Sequence, residues 1–490
     1  MFRKRPAVQE SLFIPGKLSD FIPDDHILKR VDRAVAFSWV DEIVKDAYDE
    51  CRGRPCVEPE RALRLMVCGF LHGITQDRKL MREAQVNMAY RWFCGYELDE
   101  SLPDHSSLTR IRQRWGVTRF RKIFEKVVSA CVEAGLVGGD VLHCDGSLIR
   151  ADVSWGSLVT TYVEKVAEEN PGTEDSKSEE DSGVDENRKG SPELIVKAKK
   201  PKGTVKKVSR TDPECSMATS SQKQRLEPTY KQHTCVDDRA GVIVDVEVTT
   251  GEVSESCELM NQIDRVTNTL GKQPDTVTAD KGYASGTNYE ELEVRGITAV
   301  IPPQKQRRPA GNMPLRRFSY DSVKNIVRCP GGKILTCRNR TTYGWFYRAT
   351  SSDCGSCRLK NGCVPESAKS RSILIVDGFC SLLRARREKV RGWDDQKVKL
   401  YNRHRNQVEG AHGEQKTEHG LRRAARRGLW NVQIQSYLSA AALDLKRLAH
   451  HGTKTTGRPL GSIYRLLHCH LRDIWRPWRK SYRTSLRSAW

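Results

Sequence analysis

Apolar residues recur every three to four positions through much of the first quarter of the chain, which predicts helices over residues 15–125. Pro59 suits the first turn of one of them, and Leu63, Val67, Phe70, Leu71 and Ile74 follow at helical spacing. Gly73 and Thr75 punctuate this run. Thr75 is expected to cap a next helix that buries Leu80, Ala84 and Met88. Asp104 or Ser106 is expected to cap a third, SSLTRIRQRW, in which Arg110, Arg112 and Arg114 surround an apolar seam of Leu108 and Ile111. A further amphipathic helix over 118–136 carries Phe120, Ile123, Phe124, Val127, Val128 and Cys131 and ends at Gly135.

After Gly138 and Gly139 the pattern changes. Val141 to Cys144 reads as a short strand ending at Asp145, and further strands are predicted at His233–Val236, Gly241–Thr250, Thr276–Ala279 and Thr298–Ile301. Residues 305–380 are cysteine-rich and read as loops, and from 395 to about 450 the pattern is helical again. Residues 165–208, poor in aromatics and rich in charge, Ser, Gly and Pro, read as a disordered, mobile insertion. No internal repeat is present.

Composition narrows the class. A chain of 490 residues suggests about three domains. With 38% hydrophobic residues it can bury a core, so wholesale disorder is excluded. No run approaches the roughly 18 apolar residues of a membrane span, and Met1–Phe13 is basic without the apolar stretch of a secretory signal. Sixteen cysteines in such a chain are expected to be reduced thiols or metal ligands. The formal charge of +21 favours a polyanionic partner, nucleic acid above all, although a basic solvated surface has the same composition. The charge is also segregated: residues 164–187 hold ten acids and two lysines, and residues 188–207 hold eight basic residues and one Glu. The last twenty residues interleave six Lys/Arg with Trp475, Trp478, Tyr482 and Trp490, which suits a phosphate track with base or sugar packing as well as it suits an ordinary tail. Arg110, Arg112 and Arg114, on a short helix after a turn, fit either a DNA recognition helix or a solvated face.

Two acids share one setting. Asp145 ends VLHCD and precedes Gly146; Asp280 ends TVTAD and precedes Lys281-Gly282-Tyr283. An acid at the end of a buried strand, with glycine close behind, projects at the rim of a sheet; a lone one is usually a turn former. A third acid stands on a predicted helix, YNRHRNQVEGAHGEQK. At 100° per residue Arg405, Glu409 and Lys416 fall on one face there, either as a surface ion pair or as a metal-binding carboxylate flanked by phosphate-binding cations.

These segments resemble the DDE-type transposases of bacterial insertion sequences. The resemblance rests on DGSLIRADVS around Asp145, TADKGYAS around Asp280 and RNQVEGAHGEQK around Glu409. The last is similar to the family's Tyr-Arg-Glu-Lys signature, R-x3-E-x6-K, in Arg405, Glu409 and Lys416. The family's Tyr position is Asn402 here, with Tyr401 one place off, and Asp152 stands where members often have Asn. PERALRLMVCGFLHGITQDRKLMREAQVNMAYRWF and the PDHSSLTRIRQRW that follows are similar to the family's N-terminal domain, and HGLRRAARRGLWNVQIQSYLSAAALDLKRL to the segment after its Glu. The resemblance spans most of residues 10–450, in family order.

It implies an α+β fold: a helical N-terminal DNA-binding domain (10–130), then a ribonuclease H-like α/β catalytic core (137–164 and 209–304, completed by helices over 395–450). The charged insertion (165–208) and a Cys-rich insertion (305–380) interrupt that core, and a basic tail (455–490) follows it. It further implies that Asp145, Asp280 and Glu409 are catalytic and hold Mg²⁺ or Mn²⁺, and that Arg405, Lys416, Tyr401, Arg110 and Arg114 contact DNA. The function implied is binding of terminal inverted repeats with metal-dependent cleavage and strand transfer. A nuclease without strand joining, or a non-catalytic DNA-binding derivative, are the alternatives. Double-stranded DNA is the expected partner, a homodimer or larger the expected assembly, no membrane is expected, and the cytoplasm, at the nucleoid, is the expected place.

The Cys-rich stretch carries its own chemistry. Cys354, Cys357 and Cys363 are spaced C-x2-C-x5-C, with Cys329 in RCPGGK upstream and Cys337 as a fifth candidate. A C-x2-C knuckle suits tetrahedral Zn²⁺, so Cys329, Cys354, Cys357 and Cys363 are the expected structural zinc ligands, with free thiols as the alternative. Cys68, Cys94 and Cys131 lie at apolar positions and are expected in the core.

Overall fold

Pro59 opens a helix because its missing N–H costs nothing in a first turn, and the residues behind it bury one stripe. The computed structural model describes residues 16–49, 56–163, 204–219, 225–304 and 313–455. Its N-terminal part is helical: α1 (Ile27–Ala34), α2 (Val40–Val44), α3 (Pro59–Leu71), α4 (Asp77–Val86), α5 (Met88–Cys94) and α6 (His105–Glu133). Leu63, Met66, Val67 and Phe70 of α3 are buried, with Cys68, Cys94 and Cys131 in the same core, as the apolar pattern predicts. Thr75 does not cap α4. That helix starts at Asp77, and the Thr75 side chain instead packs on Gly420, where an added Cβ would lie 2.2 Å from Thr75 Cγ2. Asp104 does cap α6, accepting the Ser106 N–H at 2.8 Å. The two helices expected over 106–136 are joined end to end at Gly116, whose φ of 67° breaks the helix between them.

Arg112 departs from the expected surface position. It is buried and ion-paired to Asp77, which also holds Arg426 at 2.7 Å, so it ties α6 and α4 to the C-terminal part of the chain. Arg110 and Arg114 remain exposed, Arg114 lying 4.9 Å over the Tyr48 ring.

The next elements are β1 (Val141–Arg150), β2 (Leu158–Val163), β3 (Thr204–Ser209), β4 (Ser216–Ala218), β5 (Glu227–Asp237), β6 (Ile243–Thr250), α7 (Leu259–Leu270), β7 (Thr276–Ala279), α8 (Gly286–Val294) and β8 (Thr298–Val300). The main sheet runs β6–β5–β1–β7–β8, antiparallel from β6 to β1 and parallel from β1 to β8, with β4 beside the start of β5. This is the mixed sheet of a ribonuclease H-like fold. Contrary to the expectation, β1 does not end at Asp145. It continues to Arg150 because β5 is long enough to pair with it throughout, Asp145 lying opposite Thr234 and Arg150 opposite Thr229. Residues 204–208, read above as the end of a mobile insertion, lie in β3, paired with β2; the rest of that insertion and the basic aromatic tail lie outside the described residues.

Residues 313–380, the described part of the stretch 305–380, are not loop-like. They contain β9 (Ser319–Asp321), β10 (Ile326–Arg328), β11 (Ile334–Thr341), β12 (Gly344–Arg348), a short α9 (Ser351–Gly355) and β13 (Ser372–Val376), and the strands form one antiparallel sheet in the order β13–β12–β11–β10–β9. Val327, Leu335, Tyr347, Ile373, Ile375 and Phe379 give it a core of its own. The strands are short and their outer faces carry Arg and Asn, which hid their period.

The chain then forms α10 (Phe379–Arg391), α11 (Asp395–His404), a π turn (Arg405–Glu409), α12 (Gly410–Thr417) and the long α13 (Leu429–Thr455). α13 packs on α1, α3, α6 and β6, so the N-terminal helices and the main sheet share one continuous core. Among the described residues no helix is long and apolar enough to cross a membrane.

Candidate active site

Strand register brings the two aspartates together. β1 and β7 are parallel neighbours whose last pair is Cys144 with Ala279, so Asp145 and Asp280 are the next residues on adjacent strands, whose axes run roughly 4.8 Å apart. Asp145 remains in the sheet and accepts the Gly146 N–H at 2.8 Å. Asp280 leaves the sheet as the cap of a turn over Lys281–Tyr283, accepting the Gly282 N–H at 2.5 Å. Burial pushes the Asp145 carboxyl up to about 7; the Gly146 N–H opposes this, while the charges of Asp280, Glu255 and Glu409 add to it.

Glu409 reaches this point from the helical segment packed across β1 and β5. A π turn replaces regular α-helix from Arg405 to Glu409 and changes the angular spacing expected of Arg405, Glu409 and Lys416. Arg405 and Glu409 are 68% and 64% exposed and pair with each other at 3.4 Å. Lys416 is half-buried instead, its pKa lowered by burial and Arg422 against the pull of Asp145. Tyr401 stands between the rings of Trp393 (5.4 Å) and His404 (5.9 Å). Burial, then the charge of Asp280, raises its pKa; Arg405 opposes this and Asp145 adds to it. Arg110 and Arg114 have no hydrogen bond or ion pair to these acids among the described residues.

Several residues at the site escaped the sequence reading. His412 Nδ1 lies 3.8 Å from Asp145 Oδ2 while its Nε2 is 2.9 Å from Thr234 Oγ1, and burial drives its pKa down to about 3, so the ring is neutral. His143 Nδ1 and His404 Nδ1 lie 2.6 and 3.0 Å from Thr278 Oγ1, and Gln232 Nε2 donates to Gln415 Oε1 at 3.0 Å. These buried bonds fix α11 and α12 on the sheet and thereby place Glu409. Glu255, at the start of the turn Glu255–Cys257 after β6, puts its carboxylate against Gly146 and Gly282. A lone Glu in a loop has no period or motif to mark it; the histidines of the Glu409 helix lie inside the quoted motif but were indistinguishable there from core residues.

Cys329, Cys354, Cys357 and Cys363 line one small cavity of about 30 Å³, which Cys337 does not line. A Cβ on Gly331 would stand 3.6 Å from the sulfurs of both Cys329 and Cys357, and the Cys363 thiol feels the charge of the other three. Among the described residues, one group brings three metal-type ligand atoms within 4.8 Å of one another: Glu414, Glu418 and His419. Lys446 already neutralises it, 2.7 Å from Glu414 and bonded to Glu418 as well, so it reads as an ion-paired joint.

Comparison with known proteins agrees with this architecture. Residues 16–114 match a family described as "Transposase domain (DUF772)", and residues 197–445, just over half of the chain, match "Transposase DDE domain". The second match holds Asp280 and Glu409 but begins after Asp145, which joins the site through β1. No curated protein matches. Among solved structures, a piggyBac transposase synaptic complex with hairpin DNA is 12% identical over 92% of this chain and 80% of its own, with a TM-score of 0.32. A Mos1 transposase paired-end complex with left transposon end is 10% identical over 54% of this chain and 65% of its own, with a TM-score of 0.16. With a DDE domain spanning more than half of its length behind an N-terminal transposase domain, the chain belongs to the DDE transposases, enzymes that cut and join DNA.

Proposed function

We propose that this transposase serves a bacterial insertion sequence, binds the terminal inverted repeats of its element, and cleaves and joins DNA at divalent cations held by Asp145, Asp280 and Glu409. The observation that carries this reading is the placement of Asp145 and Asp280 at successive positions of adjacent parallel strands, with the charge of Glu409 felt at the same carboxyl. The donor set fits Mg²⁺ or Mn²⁺: all ligands are hard oxygens, and a bound cation would offset both the burial that raises Asp145 and the smaller repulsion from its neighbouring carboxylates. Such ions supply charge neutralisation at the phosphodiester and a nucleophile drawn from water.

The remaining work falls to this chain's own side chains. Asp145 is held rigidly by its strand, and Asp280 is oriented by the Gly282 N–H. Lys416, half-buried beside Asp145, offers a point charge to a backbone phosphate, and Arg405 on the exposed turn offers a planar fork to another. Tyr401 presents its ring at the rim, and the exposed Arg110 and Arg114 of α6 extend the basic surface to the DNA flank. Joining two ends requires two copies at least. Cys329, Cys354, Cys357 and Cys363 form a structural zinc site in the insertion, their thiols gathered about one cavity.

The test is a strand-cleavage and joining assay on DNA carrying the repeats that flank the gene. Asp145→Asn, Asp280→Asn and Glu409→Gln are each expected to lower cleavage by about 10²–10³-fold or more while DNA binding persists. Full cleavage with Mg²⁺ by any of the three removes that residue from the site, and cleavage without joining by the native chain replaces transposition with simple nuclease action.

A further inference from the structure

The turn that carries Glu255 is built into the site. It follows β6, and it is pinned to the turn of Asp280 by Asn288, whose Nδ2 donates to Ser256 O and to Tyr283 O, each at 3.0 Å. The Glu255 carboxylate occupies the space that side chains would need just after each aspartate. A Cβ on Gly146 would lie 2.8 Å from Glu255 Oε1, and one on Gly282 would lie 2.3 Å from Oε2 and 2.8 Å from Asp280 Oδ1. Glycine at these two positions is therefore what lets a third carboxylate stand against the aspartates.

Its neutralisation is incomplete. Lys231 Nζ is 3.6 Å from Glu255 Oε1 but donates its short hydrogen bond, 2.7 Å, to Val253 O. The charge of Glu255 acts on Asp145 ahead of that of Glu409. A separate observation concerns the tyrosine beside these groups. The Tyr283 hydroxyl is fully buried, feels the charges of Asp145 and Glu255, and has no hydrogen-bond partner among the described residues. A buried, unpartnered hydroxyl within the field of these carboxylates fits a polar occupant beside them, such as an ion with its water.

We propose that Glu255 is a fourth carboxylate of the cation site, holding divalent ions together with Asp145 and Asp280, with Lys231 as its counter-ion when no cation is bound. This rests on the assignment of Asp145, Asp280 and Glu409 made above, and extends it to a residue outside that triad. A structural salt bridge between Glu255 and Lys231 is the competing explanation, and it makes opposite predictions for the two partners.

The experiment is Mn²⁺ binding to the full-length protein, followed by the electron paramagnetic resonance of free Mn²⁺, with thermal unfolding of the cation-free protein and the Mn²⁺ dependence of end cleavage as parallel readouts. Glu255→Gln is expected to weaken Mn²⁺ binding by about tenfold or more and to shift the Mn²⁺ needed for cleavage in the same direction. It should leave the cation-free melting temperature unchanged or higher, since it removes a repelled charge, and Glu255→Asp should restore part of the binding. Lys231→Gln should bind Mn²⁺ at least as well as the native chain. If Glu255→Gln and Lys231→Gln both melt lower and both keep native Mn²⁺ affinity, the residue is half of a salt bridge and the proposal is overturned. Asp280→Asn serves as the reference: native Mn²⁺ affinity in that variant overturns the reading of the site itself, whereas loss there with native affinity in Glu255→Gln overturns only the fourth carboxylate.

Discussion

Two groups of like side chains, the carboxylates about Asp145 and the thiols about Cys357, are built in opposite ways in this molecule. The carboxylates come from segments far apart in the chain and are brought together by the register of β1 against β7 and β5, inside a core shared with the N-terminal helices. The thiols come from one insertion, three of them within ten residues, and rest on a five-stranded sheet with a small core of its own. The carboxylates are thus positioned by the fold itself, and burial, with the nearby negative charges adding to it, raises Asp145. The thiol site rests on that small core alone, so the zinc proposed for it would contribute directly to folding.

The largest effect is expected from removing the zinc proposed for the thiol cluster. Purified protein is expected to hold about one zinc per chain. Chelation, or Cys354→Ser with Cys357→Ser, should melt the insertion sheet while the main sheet and α13 stay folded, as seen by hydrogen exchange of β10–β12 against β1 and β5. An insertion equally protected without metal would show that its small core suffices.

A smaller effect is expected at the glycines of the carboxylate site. Gly282→Ala places a methyl into the Glu255 and Asp280 carboxylates, so cleavage should fall by about tenfold or more, with a stability loss of about 1–3 kcal/mol. Native activity in Gly282→Ala would mean that the turn yields and that its tight packing is incidental.

Thr278→Val probes the support beneath the acids. It removes the hydroxyl shared by His143 and His404 and should cost about 1–3 kcal/mol in chemical denaturation. A neutral result would show that α11 is held on the sheet by apolar contacts alone.

The smallest expected effect concerns a carboxyl that belongs to neither cluster. Asp444 on α13 is fully buried, accepts the Ile243 N–H at 2.9 Å, and has its pKa raised to about 8, by burial against the opposing pull of Arg447. Because the folded value lies above the unfolded one of about 3.9, the folded chain keeps the proton longer. This group's stability contribution is therefore full below about pH 4 and lost as pH rises towards 8. Asp444→Asn should flatten the fall in melting temperature between those limits by a few degrees at most; an unchanged slope would assign the pH dependence elsewhere.

Much of this was legible locally. The cap at Asp104, the break near Gly116, the strand before Asp280 and the buried stripe of α3 all follow from a few neighbouring residues, and the structure contains them. The failures are of another kind. β1 outruns its apolar run because β5 offers partners as far as Arg150. Thr75 abandons a cap for a contact with Gly420, and Arg112 leaves the surface for Asp77. The strands of the insertion alternate over too few residues to register as a pattern.

By itself the amino-acid order determined most helices and the main-sheet strands in outline, the positions of Asp145, Asp280 and Glu409 in the chain, the cysteine spacing and the basic charge. Each is written within a turn or two of chain, where period and side-chain chemistry act directly. The tertiary structure alone decided that Asp145 meets Asp280, that a π turn resets the face of Glu409, and that Glu255 joins them beside an unsatisfied tyrosine. Those depend on pairings between residues distant in the chain, selected by the packing of the whole core, and no local repeat encodes which strand will lie beside which.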